Sequence, residues 1–63
     1  MSDRFQRFAA RDHSDATLAR LTDDEVELLK GRRKHSPVAM SIKMHRSEST
    51  IYRLQNSIID KIG

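Results

Sequence analysis

Four apolar side chains recur at helical spacing within residues 47–63, and this stripe constrains the fold more than any other feature. The four are Ile51, Leu54, Ile58 and Ile62. A helix with one such face is stable when other elements cover that face. Valine is scarce and no segment alternates apolar and polar residues with a period of two, so strands are not expected. The sequence therefore predicts an all-α domain whose last helix packs on the preceding ones.

The length and composition of the chain leave few routes to a stable fold. A chain of 63 residues forms one domain and buries only about 60% of the surface that its unfolded form exposes. It contains no cysteine, so disulfides and thiolate metal sites are excluded. Helix packing, partner binding or self-association must supply the stability. No apolar run approaches the roughly 20 residues that span a bilayer, and the start has no signal-peptide pattern, so we expect a cytoplasmic protein without membrane contact.

Residues 1–20 are predicted to form a partly helical N-terminal extension. Phe5 and Phe8 fall on one side of a short helix over residues 3–11. The polar run from Asp12 to Asp15 ends this helix. The two phenylalanines need a cover, so they either fill the core or form a self-association surface with a second subunit.

The rest of the chain contains start and stop signals for three helices. Thr22-Asp-Asp-Glu25 is a capping box, in which the threonine and glutamate side chains each bind a free backbone N–H. Gly31 fits the left-handed position that ends this helix. Ser36-Pro37 begins the second helix, with serine as the N-cap and proline at the first helical position. Ser47 caps the final helix, with Ser49 as an alternative.

Positive charge is concentrated in the middle of the chain. Residues 1–29 hold four basic and seven acidic side chains, whereas residues 30–53 hold seven basic side chains and the single acid Glu48. Clustered positive charge favours neutralisation of nucleic-acid phosphates, although a solvated basic surface gives the same pattern. On charge alone, Lys34 and Lys43 are candidate contacts to a DNA backbone.

The polar side of the last helix is suited to hydrogen bonding. Its side chains can donate to base edges or phosphates, and they are Tyr52, Arg53, Gln55 and Asn56. A short helix, a tight turn and a longer helix with one polar face are what a reader of the DNA major groove needs. The pattern therefore favours a small three-helix helix-turn-helix domain, while a solvated helix face explains the same side chains.

Three runs within residues 21–63 carry a family resemblance. They are Leu21-Thr-Asp-Asp-Glu25 with its continuation to Gly31, Ser47-Glu-Ser-Thr-Ile51, and Lys61-Ile-Gly63. These runs resemble the LuxR/GerE helix-turn-helix family, which typically reads Leu-Thr-x-x-Glu, Ser-x-x-Thr-Val and Lys-Leu-Gly. The resemblance implies a bacterial or phage transcription regulator that places its last helix in the major groove of double-stranded DNA, usually as a homodimer.

The resemblance also implies which residues meet DNA. By position, Tyr52, Arg53 and Asn56 would contact bases, and Ser47 and Thr50 would contact phosphates. Arg53 could form a bidentate pair with guanine, and Asn56 could bind adenine or a phosphate. Tyr52 stands where the family commonly has a lysine, so this chain would read the groove differently.

The chain departs from the family at its end. The family continues into a fourth helix that commonly dimerises, whereas this sequence stops at Gly63 and has an N-terminal extension instead. The expected fold therefore lacks the fourth helix, and dimerisation is absent or moves to Phe5 and Phe8. Two other readings stay open: a LuxR-like interaction module that binds and modulates another regulator or RNA polymerase, and a fragment of a longer regulator. Sigma-factor region four has a closely related pattern.

No pattern in the sequence indicates catalysis. His13, His35 and His45 lack the spacing of metal ligands. The serines at helix starts have a sufficient role as caps, no glycine loop is placed to cradle phosphate, and no acid pair is placed for hydrolysis. We therefore expect neither an enzyme nor a metal or cofactor site.

Overall fold

The computed structural model describes residues 3–63, which form five helices. They are α1 (Arg4–Ala9), α2 (Asp15–Leu18), α3 (Asp23–Gly31), α4 (Pro37–Met44) and α5 (Glu48–Ile62). This part of the chain contains no strand, so the prediction of an all-α fold is confirmed. Three residues join α4 to α5, and α5 packs against both α3 and α4. The longest helix is thus held by the two before it, as its apolar stripe predicts.

Side-chain caps set the starts of the three long helices, as the sequence predicts. The Thr22 hydroxyl accepts from the Glu25 N–H at 3.3 Å, and the Glu25 carboxylate accepts from the Thr22 N–H at 2.9 Å. Ser36 and Ser47 each accept from the N–H three residues later, both at 3.2 Å. Ser49 is not the cap, and its hydroxyl lies 3.1 Å from that of Ser47. These bonds satisfy N–H groups that a helix start leaves free.

The prediction for Gly31 is wrong. Gly31 is the last residue of α3 and has no positive φ, and Arg32 after it keeps the right-handed helical conformation. A Cβ at Gly31 would lie 2.5 Å from Sδ of Met40, so the missing side chain lets Met40 of α4 approach α3 closely. The left-handed residue is His45, with φ of 54°, and it ends α4. The chain turns there towards α5.

The core draws on both predicted ranges, residues 1–20 and 21–63. Its buried residues are Phe5, Ala9, Leu28, Leu29, Met40, Ile51 and Ile58. Phe5 therefore fills the core, the first of the two alternatives, and is not an exposed anchor for a second subunit. Phe8 is half-buried against this core, with its ring centroid 5.9 Å from that of Phe5. The N-terminal segment is consequently part of the same packed unit as the three long helices.

Candidate nucleic-acid interface

Three of the predicted contact residues share the exposed face of α5. Tyr52, Arg53 and Asn56 are all exposed, and the exposure of Tyr52 is 49%. They lie within one turn of each other because residues three and four apart face the same side of a helix. None of them donates or accepts a side-chain hydrogen bond within residues 3–63. A phenol, a guanidinium and a carboxamide thus stand together with their hydrogen-bonding groups unused.

The two predicted phosphate contacts at the start of α5 already have partners in the protein. Ser47 Oγ accepts from the N–H of Thr50 and lies 2.9 Å from its Oγ1. Ser47 is exposed and Thr50 is half-buried, so both hydroxyls border solvent. An oxygen that accepts the capping bond can still donate its hydroxyl proton to an acceptor outside.

The two predicted lysine contacts lie on other elements. Lys43 is exposed in the last turn of α4, directly before the turn that leads to α5. Lys34 is exposed in the connection between α3 and α4. The structure therefore places Lys43 near the start of α5 along the chain, whereas Lys34 lies in the connection before α4 and forms no ion pair within residues 3–63.

Part of the basic middle segment is used inside the fold. Arg32 is buried, and Arg46 forms an exposed ion pair with Asp24 at 3.3 Å. The guanidinium of Arg33 donates to the carbonyl oxygen of Ala9 at 2.7 Å. The remaining basic side chains of the segment are exposed and form no ion pair within residues 3–63: Lys30, Lys34, Lys43 and Arg53. A count of charges along the sequence therefore overstates what this segment can offer to phosphates.

Arg32 is the centre of a buried polar cluster that the sequence did not predict. Arg32 is 1% exposed, and its Nε donates to Gln55 Oε1 at 2.8 Å. Nη1 donates to the His35 carbonyl oxygen at 2.8 Å, and Nη2 pairs with the Asp3 carboxylate. The hydrogen bond from Arg32 lowers the pKa of Asp3 from its ordinary value, although desolvation opposes this. Gln55 is buried, so its assignment to the polar face of α5 is wrong.

Glu25 forms a second buried cluster, which ties the start of α3 to the end of α5. Its carboxylate accepts from Lys61 Nζ at 2.7 Å and from Ser57 Oγ at 2.7 Å, besides the capping bond to Thr22. Burial alone raises the pKa of Glu25, but the hydrogen bonds from Lys61, Thr22 and Ser57 outweigh it and lower the pKa from 4.5 to about 2. The carboxylate is therefore ionised at neutral pH and holds α5 in place.

Sequence reasoning missed a basic residue that borders the α5 face. Arg4 of α1 lines an open cleft of about 220 Å³ together with Phe5, Gln55, Asn56 and Ile59. The signal was present, because Arg4, Arg7 and Arg11 recur three and four residues apart. Because the net charge of residues 1–29 is negative, these three arginines were not predicted to contact nucleic acid.

The described part of the chain provides neither a cluster of metal ligands nor a helix that could span a membrane. Residues 3–63 contain no group of three or more His, Cys, Asp or Glu side chains placed to hold a metal ion. Over the same residues, no helix has the length and apolar character needed to cross a bilayer. The exposed face of α5 and its surroundings are thus the candidate site that the geometry supports.

Comparison of the chain with protein-family models, with curated protein sequences and with solved structures found no match. The resemblance to the LuxR/GerE family consequently stays a prediction from the motifs in residues 21–63.

Proposed function

We propose that this protein binds double-stranded DNA and regulates transcription by inserting α5 into the major groove. The observation that carries the proposal is the exposed trio Tyr52, Arg53 and Asn56, whose side chains form no hydrogen bond within residues 3–63. Arginine and asparagine are the side chains best suited to bidentate contacts with guanine and adenine. The opposite side of α5 is buried, so the helix has one orientation in which it can meet a duplex.

The charges around α5 support the same proposal. Lys43 precedes the turn into α5, and Arg53 lies on its exposed face, both without an ion pair within residues 3–63. Two exposed acids, Glu48 and Asp60, lie near the two ends of α5 and leave its middle free of negative charge. Phosphates flank both sides of the major groove. If the middle turns of α5 enter the groove, Lys43 and Arg53 can lie close to these phosphates.

Arg53 provides the sharpest test of base reading. A duplex is first selected from a random library with the purified protein, and its affinity is then measured by fluorescence anisotropy. Arg53→Ala should weaken binding to the selected duplex by about 1–3 kcal/mol and relax the preference at the base pair it reads. Arg53→Lys keeps the charge but loses the planar fork, so it should retain non-specific affinity and lose the same preference.

A control variant distinguishes base recognition by Arg53 from a general effect of one positive charge. Arg20→Ala removes one exposed positive charge from the connection between α2 and α3 and should leave the base preference unchanged. If the wild-type protein enriches no sequence and binds random duplexes with no dependence on salt, α5 is not a groove reader.

An interaction module for a second regulator or RNA polymerase is the alternative, and two apolar residues on α4 favour it. Val38 and Ile42 lie four residues apart on one side of α4, with exposures of 49% and 71%. Because Phe5 is in the core, these residues replace it as the ones to test. Ile42→Lys should abolish binding to purified RNA polymerase, whereas Ile59→Lys, the same change on α5, should not. Equal binding by both variants would contradict the alternative.

A further inference from the structure

The cleft between α1 and α5 adjoins the face proposed to enter the groove. Arg4 and Phe5 line it from α1, and Gln55, Asn56 and Ile59 line it from α5. Asn56 belongs both to this cleft and to the exposed trio, so the two surfaces are continuous. None of the five lining residues is acidic, and one carries a full positive charge.

The charge of Arg4 is not neutralised by another side chain within residues 3–63. Arg4 is exposed and forms no ion pair within residues 3–63. Its sequence neighbour Asp3 is the nearest acid along the chain, and that carboxylate is already paired with the buried Arg32. The guanidinium of Arg4 therefore remains available to an anion from outside.

The backbone that carries Arg4 is held in place on both sides. Asp3 is bound to Arg32 and also accepts from the N–H of Gln6 at 3.1 Å. Phe5 is buried in the core, under the guanidinium carbon of Arg32 at 5.4 Å from the ring centroid. A charge on such a fixed backbone loses less conformational freedom on binding than one on a free chain end.

We propose that Arg4 binds a DNA backbone phosphate at the edge of the groove that α5 enters, which makes the N-terminal segment part of the interface. This inference rests on the proposed function and adds a contact that lies outside the helix-turn-helix. Arg4 sits on α1 beside α5, so it meets the rim of the groove, where the phosphates lie, and not the base edges. It fixes the position of α5 on the duplex without reading sequence.

The test measures the salt dependence of binding to the selected duplex between about 50 and 200 mM salt. The slope of log affinity against log salt is negative, and loss of one phosphate contact decreases its steepness by about 0.9. Arg4→Ala should show this decrease, and Arg4→Lys should restore most of the slope because the charge remains. Arg20→Ala, which removes an equal charge from the connection between α2 and α3, should leave the slope as in the wild type. Thermal unfolding of Arg4→Ala should match the wild type, since the side chain is exposed.

The outcomes distinguish this inference from the function on which it rests. Equal slopes for Arg4→Ala and Arg20→Ala, with the wild type still selecting a sequence, would overturn the Arg4 contact and leave the groove reader intact. A changed base preference in Arg4→Ala would also overturn it, because phosphate contacts carry no sequence information. Failure of the wild type to select any duplex would remove both proposals.

Discussion

At the scale of single residues, two buried charged side chains connect the helices of this protein. Glu25 and Arg32 are 2% and 1% exposed, yet both lie in segments whose sequence indicates surface charge. Each is compensated by several hydrogen bonds, and within residues 3–63 no buried side-chain nitrogen or oxygen lacks a partner. Removing one member of such a cluster leaves the others unsatisfied, which makes these sites sensitive to substitution.

Glu25→Gln should weaken the fold and reduce its sensitivity to acid. The variant loses the ion pair with Lys61, and we expect a cost of about 2 kcal/mol at pH 7. The pKa of Glu25 is lowered from 4.5 to about 2, so its stabilising contribution is complete above pH 4.5 and is lost as the pH falls towards 2. Thermal unfolding followed by circular dichroism at pH 7 and pH 3 measures both effects.

The matched control for this variant is Glu27→Gln, an exposed glutamate on the same helix. It should unfold as the wild type does at both pH values. Asp3, whose pKa is also lowered, keeps some acid sensitivity in Glu25→Gln. An equal loss of stability for the wild type and Glu25→Gln between pH 7 and pH 3 would show that Glu25 does not carry the effect.

At the scale of elements, local signals predicted the starts of α3, α4 and α5 but gave the wrong backbone conformation at the end of α3. The caps at Thr22, Ser36 and Ser47 depend on residues three apart, so the sequence displays them directly. Glycine occurs both where φ is positive and where another group approaches the backbone closely, and a sequence does not distinguish the two roles. At Gly31 the second role applies, because Met40 packs against it. The left-handed turn falls on His45, where the sequence gives no glycine to indicate it.

Loss of the α5 cap should be measurable without DNA. Ser47→Ala removes the hydroxyl that accepts from the N–H of Thr50, and we expect a loss of about 1 kcal/mol in the free energy of unfolding. Ser49→Ala is the matched control, because Ser49 caps nothing and should stay close to the wild type. Urea unfolding provides the comparison, and equal losses in both variants would contradict the assignment of Ser47 as the cap.

For the whole molecule, the N-terminal segment behaves as part of the domain. The sequence suggested an extension ending at residue 20 before a helix-turn-helix domain, but Phe5 and Ala9 lie in one core with residues of α3, α4 and α5. The pairing of Asp3 with Arg32, and of Arg32 with Gln55, joins residues 29 and 23 positions apart. No short-range pattern encodes such pairs, so the sequence predicted the three long helices and the exposed trio but not the clusters that position them.

A chain reduced to residues 21–63 should therefore fail to fold cooperatively. It loses Phe5 and Ala9 from the core and leaves Arg32 buried without Asp3. Domains close to 40 residues usually need a disulfide, a metal or a partner, and this chain has no cysteine. Thermal unfolding by circular dichroism should show a broad, shallow transition where the full chain gives a sharp one. A fragment as cooperative as the full chain would show that the first 20 residues are dispensable.

Arg32 has a consequence for genetics. A screen that replaces each basic residue in turn and scores loss of the proposed DNA binding would rank Arg32 among its strongest hits, because removal of this buried side chain destabilises the fold. Arg32 is 1% exposed, so that phenotype would report on protein abundance and not on a contact of Arg32 with DNA. Each allele in such a collection therefore needs its cellular protein level measured alongside its phenotype.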